Sequence, residues 1–181
     1  MSEKIIKDLL AFIGENPDRE GLQETPRRVL KAWEFWTQGY KMDASSILKV
    51  FEDGAEGCDQ MVVRKNIPLY SKCEHHLADI IGTATVAYIP RGKVVGLSKL
   101  DRLVTMFARR LQVQERLTNQ IADAINDNLH PIGVGVWISA RHMCVESRGV
   151  QHADSTTITT ALRGAMLDEP AARSEFLALC R

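Results

Sequence analysis

The chain opens with apolar residues at helical spacing. Ile5, Ile6, Leu9, Leu10 and Ile13 recur at i, i+3 and i+4 steps, so Lys4 to Gly14 reads as an amphipathic helix. Gly14 and Pro17 end it. Thr25-Pro26 offers an N-cap and a first-turn proline to a second helix over Pro26 to Thr37. Ser45 to Phe51 reads as a short third helix. The turn-rich stretch Glu52 to Gly57 then marks a boundary, which divides the chain into a helical N-terminal region, 1–58, and a second region, 59–181.

Beyond that joint the apolar period changes to two. Met61 to Tyr70 reads as a strand interrupted at Pro68. Gly82 to Ile89 is a second strand, turned by Pro90 to Lys93 into Val94 to Leu97. Ser98 can cap a helix carrying Leu100, Leu103, Val104 and Phe107. Gln114 to Leu129 carries Leu117, Ile121, Ile125 and Leu129 on one face. Val134 to Ala140 and Ser155 to Leu162 complete the strands, and Ala171 to Leu179 is a closing helix. The order β-β-α-α-β-β predicts an α+β fold, an antiparallel sheet with helices on one face. Such a sheet leaves edges to cover, so self-association is expected.

Composition changes this picture little. The 181 residues are 45% apolar, with 23 Lys and Arg against 23 Asp and Glu. No global field draws in nucleic acid, and no apolar run reaches the roughly 20 residues of a membrane span. The N-terminus does not read as a signal peptide, so a cytoplasmic location is expected. An anionic ligand would need a local cluster of cations.

The chemistry concentrates in two clusters. Cys73-Glu74-His75-His76 sets a thiol and an imidazole three positions apart, close enough for one metal ion. In His142-Met143-Cys144, an alternating strand would point His142 and Cys144 to one side. A catalytic zinc keeps three protein ligands and one open position, a rule that Cys73, His76 and Cys144 satisfy. His75 and His142 are then free for proton transfer. The competing reading is buried thiols and a histidine pair without a metal, and Cys58, Cys180, His130 and His152 belong to that plainer class.

Among the cations, Lys99 and Arg102 lie on one helix face beside Ser98, at a helix start that favours anions. Arg148-Gly149 follows the second cluster in a turn. Arg28 and Lys31, taken alone, read as a solvated helix face. Gln114-Glu115-Arg116 opens a helix, where Glu115 is either a surface residue favoured by the helix dipole or a partner for the N–H edge of a base.

Together these stretches resemble GTP cyclohydrolase I. The resemblance rests on Cys73-Glu74-His75-His76, Val86 to Pro90, Gly96-Leu97-Ser98-Lys99-Leu100, Gln112 to Thr118, Arg148-Gly149-Val150 and the early run Pro17 to Val29. It spans nearly the whole chain. It implies zinc at Cys73, His76 and Cys144, with His75 and His142 as acid–base residues. It further implies that Glu115 and Gln114 contact guanine, and that Ser98, Lys99, Arg102, Arg148, Arg28 and Lys31 hold the triphosphate and ribose of GTP. The family fold is the tunnelling fold, assembled as a homodecamer. The implied reaction opens guanine at carbon 8, releases formate and yields 7,8-dihydroneopterin triphosphate for folate and pterin biosynthesis. A paralogous tunnelling-fold enzyme acting on GTP or a deazaguanine is the alternative. The sequence departs from many relatives at Asp79-Ile80 and Val145.

Overall fold

The computed structural model describes residues 2–181. Three helices lead: α1 (Lys4–Phe12), α2 (Thr25–Trp36) and the single turn α3 (Ala44–Ile47). Thr25 lies inside α2 rather than capping it, and no side chain caps that end. The third helix is shorter than the sequence suggests because Val50–Phe51 is extended as β1.

The body begins with β2 (Val62–Cys73), β3 (Asp79–Ile89) and β4 (Val94–Val95). Then come α4 (Leu97–Ala108), β5 (Leu111–Gln112), α5 (Gln114–Leu129) and β6 (Gly133–His142). The chain ends in the short α6 (Met143–Glu146), β7 (Thr157–Gly164), α7 (Ala165–Asp168) and α8 (Pro170–Cys180). The sheet order is β5-β2-β3-β6-β7, antiparallel throughout except for the short parallel β2–β5 contact.

Pro68 does not interrupt β2, contrary to the expectation. It pairs with Thr83 of β3, while β5 reaches only Lys72 and Cys73 on the other side. A proline is tolerated where no neighbouring strand asks for its missing N–H. The irregularity falls instead between Arg64 and Ile67, where Asn66 takes a left-handed φ of 56°. β4 also departs from expectation: it pairs with β1 and not with β3, which ties the N-terminal region to the body.

Alternation along the strands sorts two faces. Ile80, Ala84, Val86 and Ile138 point into one core with Leu100, Leu103 and Val104 of α4 and Leu117, Ile121 and Ile125 of α5. Each of the larger side chains contributes about 2 kcal/mol by leaving water. The other face is not bare, so the expectation of helices on one face is incomplete. Ala87, Met166, Phe176 and Cys180 form a second cluster there, with Trp137 and Leu162 against it. Gly135 allows this approach, since a Cβ would fall 2.9 Å from the Phe176 ring. Further along the same face Tyr70 and Ile81, cross-strand partners, stay exposed, and so does Ile158 on the edge strand β7. Among the described residues no helix is long and apolar enough to cross a membrane.

Candidate active site

The β2–β3 turn and the end of β6 meet because β3 pairs with both strands: Lys72 faces Asp79, and Ile80 faces His142. Register alone therefore brings the two sequence clusters together. Cys73 is the last residue of β2 and His142 the last of β6. Cys144 does not continue the strand as alternation supposed. It sits on the one-turn helix α6, which the bidentate pair of Arg141 with Glu146 braces across the corner (Nε–Oε1 2.8 Å, Nη2–Oε2 2.5 Å).

One ligand atom each from Cys73, His76 and Cys144 lies within 4.8 Å of the other two. Cys73 Sγ is 3.9 Å from His76 Nδ1. A tetrahedral zinc spaces sulfur and nitrogen ligands roughly 3.5–3.8 Å apart, so the trio needs only a small contraction. Burial, and then the neighbouring sulfur of Cys73, push the Cys144 thiol above its ordinary pKa. Two adjacent thiols resist ionising together, and a divalent cation between them would reverse that penalty. The donor set is two sulfurs and one imidazole, with no fourth protein ligand in the cluster among the described residues. It fits a metal ion that keeps an open position.

Several residues hold the turn in place. Glu74 takes a hydrogen bond from Arg116 of α5, which holds its carboxyl below the ordinary range. Arg116 also donates to Gln112 Oε1 at 3.1 Å. On the opposite face Lys72 pairs with Asp79 at 2.5 Å and lies 3.9 Å above the Trp36 ring. Asp79 is thus spent on Lys72. The Arg116–Glu74 and Lys72–Asp79 braces were not visible in the sequence, since each depends on how separate elements come together.

His75 is exposed, with Nδ1 3.9 Å from Cys73 Sγ and Nε2 3.8 Å from Glu74 Oε1. Burial lowers the pKa of His142 from its usual 6.5, and the charge of Glu115 partly opposes this. Glu115 is exposed in the first turn of α5, beside His142 and not in a buried pocket. Arg148 Nη1 comes within 3.3 Å of His76 Nε2.

Gln114, expected as a second contact to the base, is turned inward in this structure. Its side chain is 1% exposed and points into the protein. Its amide nitrogen lies 2.9 Å from Thr157 O, 3.2 Å from Ile138 O and 3.1 Å from Thr159 Oγ1, and its oxygen lies 2.8 Å from His142 Nε2. No donor is left to face a ligand.

The remaining cations are not gathered here. Lys99 and Arg102 occupy the first turns of α4 beside the exposed Ser98, where Gly96 and not Ser98 is the cap. Arg28 and Lys31 line a recess of about 500 Å³ with Glu3 and Glu34. None of these five hydrogen-bonds to the cluster among the described residues. A second opening, of about 430 Å³, lies between Trp36, Tyr70, Lys72 and Arg109 and includes no member of the trio.

The site is that of an enzyme on an α+β scaffold, with histidines beside a two-thiol, one-imidazole cluster that could hold a metal ion. The family model described as GTP cyclohydrolase I matches residues 2–181. The chain is similar to the GTP cyclohydrolase 1 of Janthinobacterium sp. (strain Marseille), 58% identical over 96% of this chain and 87% of that one. It is 54% identical to that of Nitrosospira multiformis over 94% and 90% of the two chains. It is 55% identical to that of Campylobacter jejuni subsp. jejuni serotype O:6 over 98% and 93%. The chain belongs to the GTP cyclohydrolase I family. A solved archaeosine synthase QueF-Like, in the apo form, matches 57% of this chain and 93% of its own at 19% identity. Its TM-score of 0.48 carries no argument about fold.

Proposed function

We infer that this chain hydrolyses GTP at guanine carbon 8, releasing formate and forming 7,8-dihydroneopterin triphosphate. The observation that carries this is the convergence of Cys73, His76 and Cys144 within 4.8 Å in a member of the GTP cyclohydrolase I family. Zinc held by those three would lower the pKa of a water towards about 7, supplying a nucleophile at neutral pH.

The chain's own residues supply the rest. Glu115 accepts from the N–H edge of guanine, which orients carbon 8 towards the trio. His142, whose pKa burial keeps below 6.5, delivers a proton to the ring nitrogen beside carbon 8. The protonated ring gives that proton and the neutral ring takes one back, a transfer worth roughly two to four powers of ten. His75, beside Cys73, moves protons at the oxygen added to carbon 8. Ring opening and loss of formate each consume a water, and closure of the rearranged sugar onto the freed amine returns one. Arg148 reaches the triphosphate from the site itself, with Ser98, Lys99, Arg102, Arg28 and Lys31 completing the anion contacts.

Those last five make no contact with the trio in one chain, so the complete site is proposed to form between copies. The unpaired edge of β7 and the exposed Tyr70, Ile81 and Ile158 support a homo-oligomer, with the tunnelling topology and ten copies as the proposed assembly. Residues 1–58 are proposed as a helical region and 59–181 as the catalytic domain. The free thiols suit the reducing cytoplasm.

The test is to incubate the zinc-loaded protein with GTP and follow formate and pterin absorbance together. Equimolar formate and dihydroneopterin triphosphate are expected. Consumption of GTP without formate would sink the assignment.

A further inference from the structure

The amide of Gln114 is oriented by what surrounds it. Ile138 O, on β6, and Thr157 O, on β7, can only accept, so both demand the amide nitrogen at 3.2 and 2.9 Å. A flipped amide would set its oxygen against two carbonyl oxygens in a buried place. Thr159 Oγ1 sits 3.1 Å from the same nitrogen and is itself 2.6 Å from Thr118 Oγ1, which donates to or accepts from it. The carbonyl oxygen of Gln114 must therefore face His142 Nε2, at 2.8 Å. That oxygen has no hydrogen to give.

We propose that Gln114 is a positioning residue for the reaction, fixing His142 as the tautomer with hydrogen on Nε2 and leaving Nδ1 as the nitrogen that exchanges protons with substrate. This rests on the proposed role of His142 in GTP hydrolysis. In a neutral imidazole only one nitrogen carries hydrogen, so an acceptor held at Nε2 exposes the lone pair of Nδ1. When Nδ1 gains a proton, the Nε2–H bond to Gln114 becomes charge-assisted and shortens rather than breaking. Both states of the ring are thus held in one orientation. A neutral amide does this without adding a second negative charge beside Glu115. The anchor is stiff: Gln114 is the first residue of α5, and its amide ties that helix to β6 and β7.

The first test needs no mutation. Nitrogen spectra of the full zinc-loaded chain, labelled at histidine and assigned by difference against His142→Ala, report which ring nitrogen of His142 carries hydrogen. Hydrogen on Nε2 is expected, and a ring protonated only on Nδ1 would overturn the proposal even if the protein hydrolyses GTP. The second test is a double-mutant cycle with Gln114→Met. A residue acting through His142 lowers kcat roughly tenfold or more with KM for GTP nearly unchanged. In the His142→Ala background the same substitution should cost nothing further. A raised KM with kcat preserved would make Gln114 a base contact. An equal loss of residual activity in the His142→Ala background would also refute it, by showing that Gln114 acts independently of the histidine.

Discussion

The two halves of the proposed site are built differently. The half that does chemistry is assembled within one chain and tied at every point. Cys73 and His142 end the two strands that flank β3, Gln114 holds His142, Arg116 holds Glu74, and Arg141 with Glu146 holds the turn that carries Cys144. The half that would bind phosphate is not tied. Lys99 and Arg102 stand on α4, and Arg28 and Lys31 on α2, none bonded to the cluster. The difference separates two tasks. Proton transfer and metal ligation fail if atoms move by an ångström, so they sit at the end of a sheet and on the braced turns there. Anion binding tolerates long, mobile cations and can be completed by another copy.

The largest effect should come from the tied half. Cys144→Ala removes one of three ligands, and turnover is expected to fall to background with the metal lost. Elemental analysis beside a GTP assay decides this, and full metal content in the variant would exclude Cys144 as a required ligand. The same thiol sets a pH dependence. Its pKa is raised in the metal-free protein, so it is protonated at neutral pH and binding must displace that proton. Apparent zinc affinity should therefore rise with pH, by roughly tenfold per unit for each proton displaced. Competition against a chromophoric chelator between mildly acidic and mildly alkaline pH measures the slope. A flat profile would contradict ligation by a protonated thiol.

A smaller effect is expected from the untied half. Lys99→Ala or Arg102→Ala should leave the metal bound and raise KM for GTP by roughly ten- to a hundredfold. That range corresponds to one charge-assisted hydrogen bond of about 1.5–3 kcal/mol. Steady-state kinetics at matched zinc content reads this directly. A variant with normal KM but depressed kcat would move these cations from binding into the chemical step.

Regular elements were legible where burial imposes a period. α5 was read to its boundaries because Leu117, Ile121, Ile125 and Leu129 line one buried stripe over sixteen residues. The convergence of Cys73, His76 and Cys144 was legible too, since thiols and imidazoles gathered in two short clusters carry their own chemistry. What failed had no period to show. α6 is a four-residue turn, so Cys144 was assigned to a strand. β1 and β4 are two residues each, and their pairing depends on the whole chain's path. Pro68 looked like a break because the sequence does not reveal that its N–H side faces an edge. α8 buries only Phe176 and Cys180, too few to announce which face of the sheet it covers. The bonds of Gln114 were illegible for a related reason: its partners come from β6 and β7, far along the chain, while its neighbours in sequence suggested a base contact.

The comparison is sharpest where the two halves must cooperate. If the cations come from another copy, a site with His142→Ala lacks chemistry, and a site facing Lys99→Ala lacks phosphate binding. Glu115 is a poor partner for such a test, because it already acts on the charge of His142 within one chain. Lys99 is better, being on α4 with no bond to the trio. Each single variant is expected to be weak at low GTP. After subunit exchange at equal amounts, each shared site draws its two contributors at random from the two variants. Roughly one site in four then holds an intact His142 from one copy and an intact Lys99 from its neighbour, as random mixing in a symmetric ring requires. Activity should climb to about a quarter of the unmutated protein. Exchange is confirmed separately by mass spectrometry of differently labelled copies. Proven exchange with no gain in activity would place Lys99 and His142 in the same chain's site. It would also mean that substrate has to draw α4 and the trio together within one subunit.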